Sequence, residues 1–275
     1  MIRALIVDDS ALMRAMLKDI LSAHNDIEVV GVAPDPVLAE SKIRRLKPDV
    51  ITLDVEMPKM DGVTFLRKLM RYHPMPVVMV SSLTAEGADI TLKALRLGAV
   101  DFIHKPQGSS GDVSSVADDI RAKVAAAAGA NVRRISESRD GRVSISAIRK
   151  RSAKTADGAA AAQAPPAPSA ASRRSSHAPP ASVVKDKYVC IGASTGGTVA
   201  LEYILRQLPA TAPAIAIVQH MPARFTEAFA NRVNDLAAVE VLEARDGMPM
   251  RPGTAIIAPG DRHMAVERRA GRVLL

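Results

Sequence analysis

Five short β-branched apolar runs alternate with helical patterns over the first 105 residues, and no other feature restricts the fold as tightly. The runs fall at residues 3–7, 27–32, 50–53, 77–80 and 102–103. Apolar residues at helical spacing occupy residues 10–23, 36–46, 61–72 and 86–97, and a fifth helix is predicted over 113–127. Strands this short and continuously apolar suit a sheet buried on both faces. Strictly alternating strands and helices therefore predict an α/β unit with a parallel sheet covered by helices on both sides. Right-handed crossovers make it doubly wound, with any site at the carboxyl ends of the strands.

The pattern fails near Ala128. A stretch rich in Ala, Pro, Ser and Arg follows, and its composition cannot bury enough apolar surface to offset the entropy of ordering it. It reads as a flexible linker. Order resumes at Tyr188 with a strand at 189–191, the turn Gly192-Ala193-Ser194-Thr195-Gly196-Gly197 and a helix over 198–207. A strand at 215–219 ends at His220-Met221-Pro222. A helix at 226–236 and strands at 239–244, 255–258 and 272–275 complete a second α/β pattern. The expected organisation is a domain at residues 1–125, a linker at 126–186 and a second domain at 187–275.

Composition narrows the function classes. Apolar residues make up 48% of the chain, which argues against wholesale disorder, and with no Trp and 3% aromatics the cores must be aliphatic. One cysteine, Cys190, leaves no internal disulfide and fits a reducing compartment. Acidic residues arrive by Asp8, before any signal-peptide core, and no stretch has the length of a membrane helix. A cytoplasmic protein without membrane insertion is expected. The net charge of +8 suggests nucleic acid, but residues 121–187 alone carry +10 and the remainder carries −2. The basicity belongs to the connector, so nucleic-acid binding is not expected.

Asp8 and Asp9 follow the first strand and Asp54 follows the third, positions that meet at the edge of a doubly wound sheet. Three carboxylates there repel one another unless a divalent cation neutralises them, and all-oxygen ligation suits Mg²⁺. Ser81-Ser82 ends the fourth strand and Lys105-Pro106 follows the fifth, adding a hydroxyl and an ammonium suited to a phosphoryl group. Taken singly, an Asp-Asp pair is also a common helix cap and Lys-Pro a common loop.

In the second domain Ser194 sits on a turn between strand and helix. Its small neighbours expose the hydroxyl, and the helix start offers backbone donors to an oxyanion. A serine needs a base, and His220 ends the next strand, within reach in a parallel sheet. Glycine-rich turns of this kind also cradle phosphates or dinucleotides, so a nucleotide-binding reading stays open, although no acidic ribose ligand stands at the expected place.

With these residues in view, residues 1–125 resemble the receiver domain of a two-component response regulator, a flavodoxin-like fold. The marks are Asp8-Asp9, Leu53-Asp54-Val55-Glu56-Met57-Pro58, Asp61-Gly62, Ser81 and Lys105-Pro106. The resemblance implies phosphorylation of Asp54 by a histidine kinase. It implies Mg²⁺ held by Asp8, Asp9, Asp54 and the backbone carbonyl of Glu56, a switch hydroxyl at Ser81 and a switch aromatic at Phe102. The run Ile191–Gly197, with Gln219-His220-Met221-Pro222, Phe225-Thr226 and Ala258-Pro259-Gly260-Asp261-Arg262-His263-Met264, is similar to the chemotaxis protein-glutamate methylesterase family. That likeness implies hydrolysis of receptor glutamate methyl esters, and deamidation of receptor glutamines. Ser194 would be the nucleophile, His220 the base and the Thr195 backbone N–H an oxyanion donor, with no cofactor in the hydrolase. A chemotaxis histidine kinase and methyl-accepting chemoreceptors would be the partners, and phosphorylation would relieve occlusion of the hydrolase by the receiver.

The family's third triad residue is an aspartate in a later glycine-rich stretch, which the 275 residues do not reach. The expectation is an incomplete second domain with an open sheet edge and a less secure fold. Asp246 and Asp261 are weak substitutes for the acid, one in a turn and the other in a loop. A receiver acting alone as a phosphate sink is the alternative function.

Overall fold

A computed structural model of the chain describes residues 1–81, 84–105, 113–132, 135–137, 143–145, 187–269 and 272–275. The N-terminal part forms β1 (Ile2–Val7), α1 (Ala11–Ser22), β2 (Ile27–Ala33), α2 (Pro36–Leu46) and β3 (Val50–Asp54). It continues with α3 (Gly62–Tyr72), β4 (Val77–Ser81), α4 (Ala85–Arg96), β5 (Asp101–His104) and α5 (Val113–Ala128). The five strands are parallel in the order β2-β1-β3-β4-β5, the predicted doubly wound arrangement. Side chains alternate across the sheet. Leu5, Val7, Ile51 and Leu53 pack with α2–α4, while Ala4, Ile6, Val78 and Ile103 pack with α1 and α5. Short polar side chains start the helices: Ser10, Asp35, Asp61 and Thr84 each accept a backbone N–H from the first turn.

Part of the span expected as linker, 126–186, lies among the described residues. α5 runs to Ala128 on its Ala-rich final turns, and β6 (Ile135–Glu137) pairs antiparallel with β7 (Val143–Ile145). The remainder of the expected linker lies outside the described residues.

The C-terminal part contains β8 (Tyr188–Ala193), α6 (Gly197–Leu205), β9 (Ala214–Gln219), α7 (Ala223–Asn234), β10 (Glu240–Glu243) and β11 (Thr254–Ile257). These strands form a second parallel sheet, β10-β11-β9-β8. The strand expected at the C-terminal end does not join it. Instead β12 (Glu267–Arg269) and β13 (Arg272–Leu274) make a separate antiparallel pair, with Pro249 bridged to Leu274. β12 is exposed along its length and has no apolar alternation to reveal it. Asp246-Gly247 is a turn as expected, with Gly247 at φ +75°, but it is not a hairpin because β10 and β11 run parallel. β8 ends the row of strands, and exposed Val189, Val199, Tyr203, Ile204 and Val218 lie on or beside it.

The two parts share one core. Phe102 of β5 stacks on Phe225 of α7 with ring centroids 4.5 Å apart and planes at 22°, and both rings are almost completely buried. α4 packs against α6 and α7 beside this stack.

Candidate functional site

The acidic site is made by strand ends. Asp8 follows β1 and Asp54 ends β3; both are fully buried, whereas Asp9 is exposed. One oxygen from each of these three carboxylates lies within 4.8 Å of the others. Lys105, after β5, places Nζ 2.8 Å from both oxygens of Asp54, and the Glu56 N–H donates to Asp54 Oδ1 at 3.2 Å. Burial pushes the Asp8 carboxyl up to about 6, the charge of Asp54 adding to it and the Ser10 N–H opposing it. Burial likewise raises Asp54 against the pull of Lys105.

Asp8 Oδ1 accepts the Ser10 N–H at 2.8 Å, but Oδ2 is buried and has no hydrogen-bond partner among the described residues. An orphaned carboxylate oxygen, two carboxylates driven toward their protonated forms and all-oxygen donors fit a divalent cation. Arg14, unremarked in the sequence, braces the loop by donating to the carbonyls of Asp8 and Asp9 at 2.7 and 2.9 Å. Gly62 is there because a Cβ would stand 1.9 Å from the Asp54 carbonyl oxygen.

Ser81 ends β4 in the same row, while Ser82 lies outside the described residues. Its hydroxyl is engaged by α4: it accepts from Thr91 Oγ1 at 2.9 Å and approaches the Gly87 carbonyl at 3.4 Å. Phe102, expected as the switch aromatic, is committed to the stack on Phe225.

The second site lies at the carboxyl ends of β8 and β9. Ser194 is exposed immediately after β8, and Gly196 at φ +76° lets the chain turn into α6 without a side-chain cap. The Gly197 N–H donates to the Ser194 carbonyl at 2.7 Å. His220 follows β9, tied by its N–H to the Ala193 carbonyl at 2.9 Å. Gln219, another residue that sequence reasoning passed over, holds the two ends together. Its Nε2 donates to the carbonyls of Ser194 at 3.1 Å and His220 at 3.3 Å. A Cβ on Gly197 would meet Gln219 Oε1 at 2.1 Å, so the amide needs the space that glycine leaves.

The structure brings Ser194 and His220 to adjacent strand ends, but among the described residues no hydrogen bond joins their side chains. His220 Nδ1 instead lies 3.8 Å from Asp119 Oδ1 on α5, while Asp119 Oδ2 takes Lys123 Nζ at 3.0 Å. Asp101, at the start of β5 and nearly buried, faces the Thr195 hydroxyl. Burial raises its carboxyl, with the Thr195 side chain and the Phe102 N–H opposing it; that N–H donates to Oδ1 at 2.8 Å, while Oδ2 is buried without a hydrogen-bond partner among the described residues. A cavity of about 1400 Å³ separates α5 from the loops after β9 and β11, with His104, Asp119, His220, Asp261 and His263 on its walls. Asp261 holds a left-handed conformation at φ 60° and bonds to neither Ser194 nor His220, and Asp246 sits in an exposed turn.

Thr226, buried on α7, accepts the Gly260 N–H at 3.1 Å and donates to the Ala223 carbonyl at 2.6 Å, locking the loop after β11 onto α7. Beside the aromatic stack, burial and then Arg232 lower the Arg96 guanidinium of α4, with Glu202 opposing them.

Comparison with known proteins accounts for this pairing of sites. Residues 189–274 match the model of the CheB methylesterase family, and residues 4–114 match the response regulator receiver domain. A relative from Syntrophus aciditrophicus, "Protein-glutamate methylesterase/protein-glutamine glutaminase 2", is 45% identical over 275 residues, covering 98% of this chain and 70% of its own length. The crystal structure of the Thermotoga maritima CheB response regulator domain is 50% identical over 47% of this chain and 98% of that one, with a TM-score of 0.43. The Thermotoga maritima CheB methylesterase catalytic domain is 42% identical over 32% of this chain and 47% of that one, with a TM-score of 0.31.

Proposed function

From the membership of this chain in the CheB methylesterase family, with a response-regulator receiver ahead of the hydrolase, we propose that it is a phosphorylation-controlled protein-glutamate methylesterase of chemotaxis. The receiver occupies residues 1–125, the linker 126–186 and the hydrolase begins at 187. The observation that carries the reading is the seat of β5 and α5 on the hydrolase. Phe102 stacks on Phe225, and Asp119 reaches the imidazole that would serve as base. A receiver so placed would obstruct the approach of a protein substrate to the serine-histidine site, although both side chains stay open to solvent across the cavity, and a phosphoryl group on Asp54 is the charge change that would move it away.

In the receiver, Asp54 accepts the phosphoryl group from a chemotaxis histidine kinase. Asp8, Asp9, Asp54 and the carbonyl of Glu56 would hold Mg²⁺, which neutralises phosphoryl charge when bound. Lys105 lies within 2.8 Å of Asp54 and can take a phosphoryl oxygen after transfer. Ser81 leaves its α4 partners to donate to the same group. Phe102 follows Ser81 by moving out of the stack, which couples the phosphoryl site to the domain contact.

In the hydrolase, the Ser194 hydroxyl attacks the ester carbonyl of a methylated receptor glutamate while His220 takes its proton. The Thr195 N–H receives the oxyanion. Collapse expels methanol with the proton from His220, and water then hydrolyses the acyl-serine to glutamate. Receptor glutamines follow the same course with ammonia as leaving group. The partners are methyl-accepting chemoreceptors, met from the cytoplasm; none of the described helices is long and apolar enough to cross a membrane.

The test is methanol release from methylated receptor membranes by the 275-residue chain, with Mg²⁺ and a small phosphodonor, beside Ser194→Ala. Release that requires Ser194 and rises on phosphorylation supports the reading. Phosphorylation of Asp54 without methanol release favours the alternative, a receiver that drains phosphoryl groups from the kinase.

A further inference from the structure

The contact between α5 and His220 differs in kind from the packing around it. Phe102 on Phe225 is apolar surface covering apolar surface. Asp119 is a carboxylate of one domain whose Oδ1 stands 3.8 Å from Nδ1 of an imidazole of the other, within ion-pair range and beyond hydrogen-bond distance. That is the nitrogen an orienting acid takes in Ser–His hydrolases, where Nε2 faces the serine. Here Asp119 stands on the Nδ1 side while Ser194 has no hydrogen bond to the ring, so the imidazole faces the receiver carboxylate without being coupled to its nucleophile.

Resting on the reading that the receiver occludes the hydrolase, we propose that His220 has a second role as a docking residue. Its imidazole holds the receiver through Asp119 in a position from which it makes no bond to Ser194, so the ring must leave this docking position and turn to Ser194 to act as base. Asp119 is thus an inhibitory positioning residue contributed by the receiver. The pair attracts when the imidazole carries its proton, and its surroundings set the strength. Lys123 shares Asp119, His104 faces both of them from β5, and Asp261 and Arg224 look onto the same cavity from the hydrolase. The groups are partly exposed, 64% for the His220 side chain and 36% for Asp119. The clamp is therefore a modest increment on the aromatic stack, and a release of the receiver can break it.

Docking and receiver activation are linked equilibria, so whatever holds the closed state weakens binding of a phosphoryl mimic by the same factor. The experiment measures beryllofluoride affinity in the presence of Mg²⁺, by calorimetry, on the 275-residue chain and on Asp119→Ala, His220→Ala, the double variant and Phe225→Ala. None of these measurements needs hydrolase activity. Each single clamp variant is expected to bind beryllofluoride about two- to fivefold more tightly, the range of a partly exposed pair, and the double variant no more tightly than either. That non-additivity separates the clamp from a general loosening of α5, including loss of the Lys123 contact, because such an effect would persist without His220. Singles that multiply in the double variant, or that leave affinity unchanged, overturn the clamp. Phe225→Ala then locates the failure: tighter binding there keeps the occlusion reading and removes only the clamp, whereas no change removes the occlusion reading as well.

Discussion

Asp8 should make the metal-free protein lose stability as pH rises through the mildly acidic range. The carboxyl is fully buried, Oδ2 has no hydrogen-bond partner among the described residues, and burial with Asp54 raises it from 3.8 to about 6. Below the unfolded value Asp8 is protonated in both states and adds nothing. Between about 4 and about 6 the native state binds more protons than the unfolded one, so stability falls with rising pH. Above that window the native state carries the full cost of an ionised buried group. Two pK units at ~1.4 kcal/mol each give about 3 kcal/mol. Urea unfolding followed by circular dichroism, in EDTA, at a series of pH values would show the decline, and Asp8→Asn should lack it. The difference between the two proteins isolates Asp8 from other titrating groups. Saturating Mg²⁺ should cancel much of the loss, since a cation that binds only the folded state stabilises it by mass action. Parallel pH profiles for the two proteins in EDTA would refute the argument that desolvation governs this carboxyl.

Three further outcomes are expected. Gly62→Ala sets a Cβ 1.9 Å from the backbone of Asp54 and should cost about 3 kcal/mol in denaturant unfolding, with slower phosphorylation by a small phosphodonor. Gln219→Ala removes the amide that joins Ser194 and His220. It should cost about 1–2 kcal/mol of stability and, in methyl-ester hydrolysis, lower kcat more than it changes KM. The apolar edge at β8 should give concentration-dependent association in sedimentation experiments, reduced in Val189→Lys.

The alternation of strands and helices and the doubly wound class could be read ahead because their causes are local, whereas the order of the strands, set by long-range pairing, could not. β3 and β4 are buried at every position, so apart from Thr52 they are apolar up to Asp54 and Ser81, the polar residues that end them. Ser194 and His220 were legible for the same reason, each being the residue after a strand. What escaped notice depends on partners far away in sequence. Asp119 is an ordinary acidic position on an amphipathic helix until His220, 101 residues later, is placed beside it. Asp101 and Arg96 are equally unremarkable without Thr195 and Arg232. Gln219 offered one faint signal, an amide among apolar residues at the end of a buried strand. β12, with Glu, Arg and Arg, offered none.

If the receiver restrains the hydrolase as proposed, then, because β5 and α5 meet the hydrolase of their own chain with a covalent connection between them, the restraining and the restrained parts are made in equal number and held at a fixed local concentration. For short flexible tethers that concentration is in the millimolar range, falling as the tether lengthens, and dilution does not change it. The fraction of molecules open at rest is then a property of each molecule rather than of its abundance. A cell producing several times more of the protein would raise its basal and stimulated output in proportion and leave the ratio between them unchanged.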